Sequence, residues 1–129
     1  MSDCACIYAG EGEDSIILLR EVRWIATKPH QCFSCGRTIA KGKRFDFTQL
    51  RDTEERRIYT FKLCPGCTSL GAHFFCDSWS YAVARYVTDH LKDMDGDEPI
   101  CCYDGLSPEA AEVMEEVIWP RLPEAEVAA

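Results

Sequence analysis

Apolar and polar positions along this 129-residue chain change period once, close to Cys67. Before that point the repeat is two, the period of a strand, and after it three to four, the period of a helix. "SIILLREVRWIA", Ser15 to Ala26, is rich in β-branched and aromatic residues and predicts one or two strands. Lys28-Pro29-His30 ends them, because proline lacks a ladder donor and biases the residue before it. "RTIAKGKRF" predicts a short hairpin turning at Lys41-Gly42. "RFDFTQL" and "RIYTFKL", separated by the polar "RDTEER", predict a second hairpin, with Phe45, Phe47, Tyr59 and Phe61 offered to one packed face.

Beyond Cys67 the stripe Trp79, Val83, Tyr86, Val87, Leu91 and Met94 predicts an amphipathic helix, capped by Asp77 or Ser78 and ended by Gly96. "LSPEAAEVMEEVIWP" predicts another, with Ser107 as cap, Pro108 in the first turn and Val113, Met114, Val117 and Ile118 facing inward. Pro120 should stop it, leaving "RLPEAEVAA" as a loose tail. These elements define an α+β chain.

Composition sharpens this reading. The length suits one domain, and 47% hydrophobic with 28% charged residues is a folding composition. The longest apolar run, "SIILL", is far short of a bilayer crossing, and "MSDCACIYAG" lacks the features of a secretion signal, so a cytoplasmic location is expected. Nine cysteines in a reducing compartment do not make a disulfide scaffold. Eight of them fall in close pairs: Cys4 and Cys6, Cys32 and Cys35, Cys64 and Cys67, Cys101 and Cys102, with Cys76 alone. Pairing of this kind points to metal ligands.

Cys32-x-x-Cys35-Gly36 has the form of a metal knuckle, a tight turn with glycine where positive φ is needed. Cys64-x-x-Cys67 stands where the strand period gives way to the helix period, so its thiolates would lie at a helix N-terminus. With 28 residues between them, the two pairs can converge on one tetrahedral ion, Zn²⁺ in the first instance. A thioredoxin-like redox role is disfavoured, because it needs strand-helix alternation and has no use for a second pair. Cys4, Cys6, His73 and Cys76 make a candidate second set, with Cys101 and Cys102 as alternative ligands; the competing reading leaves Cys76 in the core and the N-terminal pair free. His30 is assigned to the surface and His90 to a helix boundary.

The order of knuckle, hairpin and cysteine-bearing helix start resembles the treble-clef and zinc-ribbon families over roughly residues 30–75. "ATKPHQCFSCGRTIAKGKRFDF" and "FKLCPGC", with an opening CxC, also resemble short phage-encoded zinc-ribbon proteins. The resemblance implies a fold and a zinc ion but no activity. "CFSCG" and "CPGC" are similar to the two halves of rubredoxin as well, which makes an iron site the second choice. The expected organisation is a single domain over 1–129: a flexible or zinc-tethered arm at 1–14, a zinc-binding β module at 15–75, an acidic helical part at 76–120 and a tail at 121–129.

A four-cysteine site is closed, whereas catalytic zinc keeps a position for water. No metalloprotease, deaminase, phosphate-loop or nucleophile-elbow motif occurs, so a non-enzyme is expected. Asp93, Asp95, Asp97 and Glu98 lack calcium-loop spacing and read as a solvated loop. Residues 28–64 carry nine Lys and Arg against four Asp and Glu, while residues 65–129 carry three against thirteen. Two binding surfaces follow. Arg37, Lys41, Lys43, Arg44, Arg51, Arg56 and Arg57 could grip nucleic-acid phosphates. The acidic half, with Asp93, Asp95, Asp97 and Glu98, could bind a protein with a basic surface. The net charge of −8 favours the protein partner. The phage resemblance implies a regulator or inhibitor of a host nucleic-acid-handling or defence system, anti-CRISPR action included, working in the host cytoplasm.

Overall fold

The computed structural model describes Ile7 and residues 16–75, 80–94 and 103–122. Five strands come first: β1 (Ile16–Ile25), β2 (His30–Gln31), β3 (Thr38–Ile39), β4 (Arg44–Asp52) and β5 (Arg57–Leu63). The helices are α1 (Pro65–Phe74), α2 (Val83–Met94) and α3 (Pro108–Val113), the last running on through a π segment (Met114–Ile118) into a final turn, α4 (Trp119–Arg121). The chain is thus mixed α+β, with an antiparallel sheet in the order β1-β4-β5 and a separate β2-β3 ribbon.

The Lys41-Gly42 turn forms, with Gly42 at φ 88°, but its two flanking strands do not pair with each other. β3 pairs with β2 across the cysteine knuckle. The chain after the turn is taken by β1: the Ala26 N–H donates to the Lys43 carbonyl at 2.8 Å and the Ala26 carbonyl accepts from Gly42 N–H at 2.7 Å, so β4 runs back along β1 from there. The β4-β5 hairpin follows the prediction, and its turn is closed by Asp52, whose Oδ1 accepts from Glu54 N–H at 2.9 Å and Glu55 N–H at 3.1 Å. Arg56 completes the turn at φ 55°.

Register overturns the single aromatic face. Phe47 pairs with Lys62, and Phe61 pairs with Thr48. Because directly opposed residues share a face and alternate residues do not, Phe45 and Phe47 lie on one side of the sheet while Tyr59 and Phe61 lie on the other. Phe47 stacks on Trp24 at 4.5 Å on the outer face; Phe61 stacks on Tyr81 at 4.6 Å on the helix side. On that helix side Thr68 of α1 also donates to Asp46 of β4 at 2.5 Å.

One core cluster runs from Phe45, Phe47 and Leu63 of the sheet through Leu70 and Phe74 of α1 to Val83 and Val87 of α2 and Val113, Met114 and Ile118 of the last helical run. Ser107 caps α3 as expected, accepting from Ala110 N–H at 3.1 Å, and its hydroxyl also meets Ser69 of α1 at 2.6 Å. Helical backbone continues past Pro120 to Arg121, contrary to the predicted stop. The π segment directly before it is the local adjustment that accommodates a residue without an N–H. α2 begins only at Val83, and Ser34 of the knuckle caps it, its hydroxyl accepting from Ala84 N–H at 2.8 Å. The expected caps Asp77 and Ser78, the stripe residue Trp79 and the stop at Gly96 lie outside the described residues.

Candidate metal centre

The four cysteines of the two CxxC pairs come from two local structures that sequence alone makes compact. In the knuckle, Cys32 N–H donates to the Arg37 carbonyl and Gly36 N–H to the Cys32 carbonyl, both at 2.9 Å, with Gly36 at φ 77°. This turn points Cys32 and Cys35 the same way. Cys64 occupies the N-cap position of α1, Pro65 its first turn and Cys67 its third residue, so both thiols face inward from a helix start. The β5 strand delivers that helix start to the knuckle: Phe33 N–H donates to the Lys62 carbonyl at 2.8 Å, and Cys64 N–H points at the Cys32 sulfur at 3.4 Å.

All four sulfurs lie within 4.8 Å of one another, and Cys35 and Cys64 are 3.8 Å apart. Sulfurs on a tetrahedron with metal bonds of about 2.3 Å stand about 3.8 Å apart, so the cluster has the size of a four-coordinate site. All four are buried, Cys67 completely, and none is in a disulfide. Without a cation such a cluster cannot hold four thiolates. Hydrogen bonds from Cys32, Cys64 and Cys67, with help from Arg37, pull the Cys35 thiol far below its usual range, while Cys64 and Cys67 are pushed up by their Cys32 and Cys35 neighbours and by burial. Cys32 is raised by Cys35 but lowered by Cys64 and Cys67, ending at about 6. A divalent ion at the centre would reverse the penalty on the raised pair and take all four as ligands.

Arg37 is placed where the charge would gather. Its Nε lies 3.5 Å from the Cys35 sulfur and its Nη2 3.8 Å from the Cys64 sulfur. Its Nη1 donates to Glu112 at 3.0 Å and also to Glu116, both on the last helical run. Burial opposes the charge of Arg37, but the Cys35 and Cys64 sulfurs, through hydrogen bonds and charge, raise its pKa on balance. Arg37 is therefore spent on the centre and on tying it to α3, not held out for phosphate as the sequence suggested. Gly66, between the two ligands, provides the second tie: a Cβ there would come within 2.5 Å of Val113 Cγ2 and 2.6 Å of the Glu109 carbonyl, so only glycine lets α1 and α3 approach this closely. A cleft of about 470 Å³ between the knuckle and α3, bordered by Lys43, Arg44 and Glu109, reaches Cys64.

The other expected site residues are scattered. Arg44 and Arg51 alternate to opposite faces of β4, Arg56 forms the hairpin turn, and Arg57 lies 5.6 Å over the Tyr59 ring. They do not form one basic stripe. Asp93 is exposed near the end of α2, while Asp95, Asp97 and Glu98 lie outside the described residues. His30 packs on Phe45 at 5.0 Å and meets Lys62 at 3.2 Å, away from the sulfurs; partial desolvation, then Lys62 and Lys28, lower its pKa. His90 sits half-buried on α2, at the boundary expected of it. Of the second candidate set, only His73 is described, on the last turn of α1; Cys4, Cys6 and Cys76 lie outside the described residues, as do Cys101 and Cys102. Beside His73, Ile7 forms a parallel bridge with Phe75, its N–H donating to the Phe74 carbonyl at 2.9 Å.

No protein-family model, curated protein or solved structure matches this chain. Among the described residues, no helix is long and apolar enough to cross a membrane.

Proposed function

We propose that this chain is a zinc-built, non-enzymatic binding protein of treble-clef or zinc-ribbon type that acts on a protein partner. The observation that carries the reading is the buried four-cysteine cluster, whose sulfurs lie within 4.8 Å of one another and whose rim is bordered by Arg37. Such an ion organises structure and leaves no position for a reacting water. Four thiolates fit iron as well as zinc; a colourless protein with stoichiometric zinc decides for zinc. A second ion on Cys4, Cys6, His73 and Cys76 belongs to the same proposal. It is supported by the Ile7–Phe75 bridge, since Cys6 precedes one bridged residue in the chain and Cys76 follows the other.

The partner reading rests on charge. Residues 16–64 hold eleven Lys and Arg against five Asp and Glu, while Asp89, Asp93, Asp104, Glu109, Glu112, Glu115 and Glu116 are all exposed on the helical side. The excess negative charge steers a protein with a basic surface toward the helices. Regulation or inhibition of a nucleic-acid-handling protein is the role that fits, in keeping with the resemblance to phage proteins. Nucleic acid itself is the second reading, favoured by the outer sheet face, where Arg20, Arg51 and Lys62 share a side with the exposed Trp24. Titration with labelled DNA and RNA oligonucleotides across a salt series separates the two. Weak binding at 0.15 M salt is expected; tight binding with a steep salt slope replaces the protein reading with the nucleic-acid one.

A further inference from the structure

The two edges of the three-stranded sheet are finished differently. The β5 edge is tied to the knuckle near its end, where Phe33 N–H donates to the Lys62 carbonyl. Among the described residues, β1 forms the other edge along all ten of its residues, and eight of the ten are exposed. They include Ile17, Leu18, Leu19, Trp24 and Ile25, five of the exposed large hydrophobic residues of the molecule. Long apolar edges are templates for a further strand, and natural sheets ordinarily blunt them. A bulge between Leu18 and Arg20 interrupts its first half, but from Arg20 to Ile25 the strand is regular, and the charges there, Arg20, Glu21 and Arg23, alternate in sign and so do not blunt it against every partner.

We propose that β1 pairs antiparallel with β1 of a second copy of this chain, about a two-fold axis at Val22. When two identical strands pair antiparallel with their faces aligned, a single residue sits on the axis and positions equidistant from it oppose one another. An axis at Arg20, Glu21 or Arg23 puts like charges in contact. An axis at Val22 turns every charge toward a complement. Glu21 then faces the partner's Arg23 and Arg20 faces the partner's Trp24, each twice by symmetry, within the regular stretch that follows the bulge. The side chains are already disposed for this. Arg23 is exposed and uses its Nε on Asp46 at 3.2 Å, leaving its other donors free for the partner's Glu21. Arg20 lies 5.1 Å over Trp24 and 5.1 Å over Phe47, a stacked position on the face that would carry the partner's Trp24. The product is a continuous six-stranded sheet in which the two β1 edges are joined and their exposed apolar side chains are brought toward cover.

Sedimentation equilibrium of the full metal-loaded chain tests the pairing, using wild type, E21R, R23E and an equimolar mixture of the two variants. Wild type is expected to dimerise. Each single variant places like charges opposite each other twice, so its dimer dissociation constant should rise at least about tenfold. The mixture should recover wild-type association, because E21R opposite R23E restores both attractive pairs. R23E also loses its contact with Asp46, so circular dichroism and zinc content are followed for every form; E21R alone carries the comparison should R23E lose its fold. A monomeric wild type overturns the proposal. So does a dimer indifferent to E21R, which would use another surface, or an edge that instead takes up an oligonucleotide or a foreign strand without self-association. Zinc content separates this failure from failure of the metal reading, since the variants leave all four cysteines in place.

Discussion

The metal end of the sheet and the β1 edge differ in what finishes them. At the metal end, four buried sulfurs, the Arg37 guanidinium and the close approach at Gly66 fix strand, knuckle and two helices against one another. At β1 the strand is interrupted by a bulge between Leu18 and Arg20, and eight of its ten residues are exposed. A small domain has little apolar area to spend, and here the core is gathered round the ligands at the cost of leaving an edge open. Ties between residues distant in sequence hold the elements together at the cysteine cluster, whereas the β1 edge leaves large apolar side chains exposed.

The largest effect should come from removing the ion or a ligand. Structural zinc contributes on the order of 10 kcal/mol, about the whole stability of a domain this size. Cys67→Ser or chelation is therefore expected to abolish cooperative unfolding, followed by far-UV circular dichroism. Retention of a full β-sheet and helix signal after chelation would break the comparison, because the β1 side would then be standing without the metal end.

Gly66→Ala ranks next. The added methyl group meets Val113 and the Glu109 carbonyl, and overpacking of this kind costs about 1–3 kcal/mol, measurable by urea denaturation of the metal-loaded protein. Arg37→Ala removes the cation beside Cys35 and Cys64 together with the tie to Glu112 and Glu116. Loss of such an outer-shell partner should weaken metal affinity by about 10–100-fold in competition with a chromogenic chelator. Arg37→Lys should recover little of it, because one ammonium cannot serve two sulfurs and two carboxylates in a planar fork. Ser34→Ala, which strips the cap that the knuckle lends to α2, should cost about 1 kcal/mol in the same denaturation experiment.

How much was legible in the sequence follows from the range of each interaction. The convergence of Cys32, Cys35, Cys64 and Cys67 was readable, because CxxC spacing is a local constraint and both pairs sit at turns that local residues specify. The β4-β5 hairpin and the Ser107 cap were readable for the same reason. Strand pairing was not: whether the chain after Gly42 returns to β3 or to β1 depends on Ala26, some sixteen residues earlier. Nor was the split of the aromatics, since alternation gives each strand's two faces and only register says which face meets which. Arg37 was misassigned because its partners lie 75 and 79 residues downstream. The demand for glycine at position 66 was not readable either, because the helix that meets it comes from the far end of the chain. The start of α2 depends on Ser34, fifty residues away.

The most direct test of the central claim is metal stoichiometry by elemental analysis of the purified chain beside its Cys67→Ser variant. The account predicts bound zinc in the wild type, with one equivalent fewer in the variant. Metal-free protein, or a variant that holds as much zinc as the wild type, would contradict it.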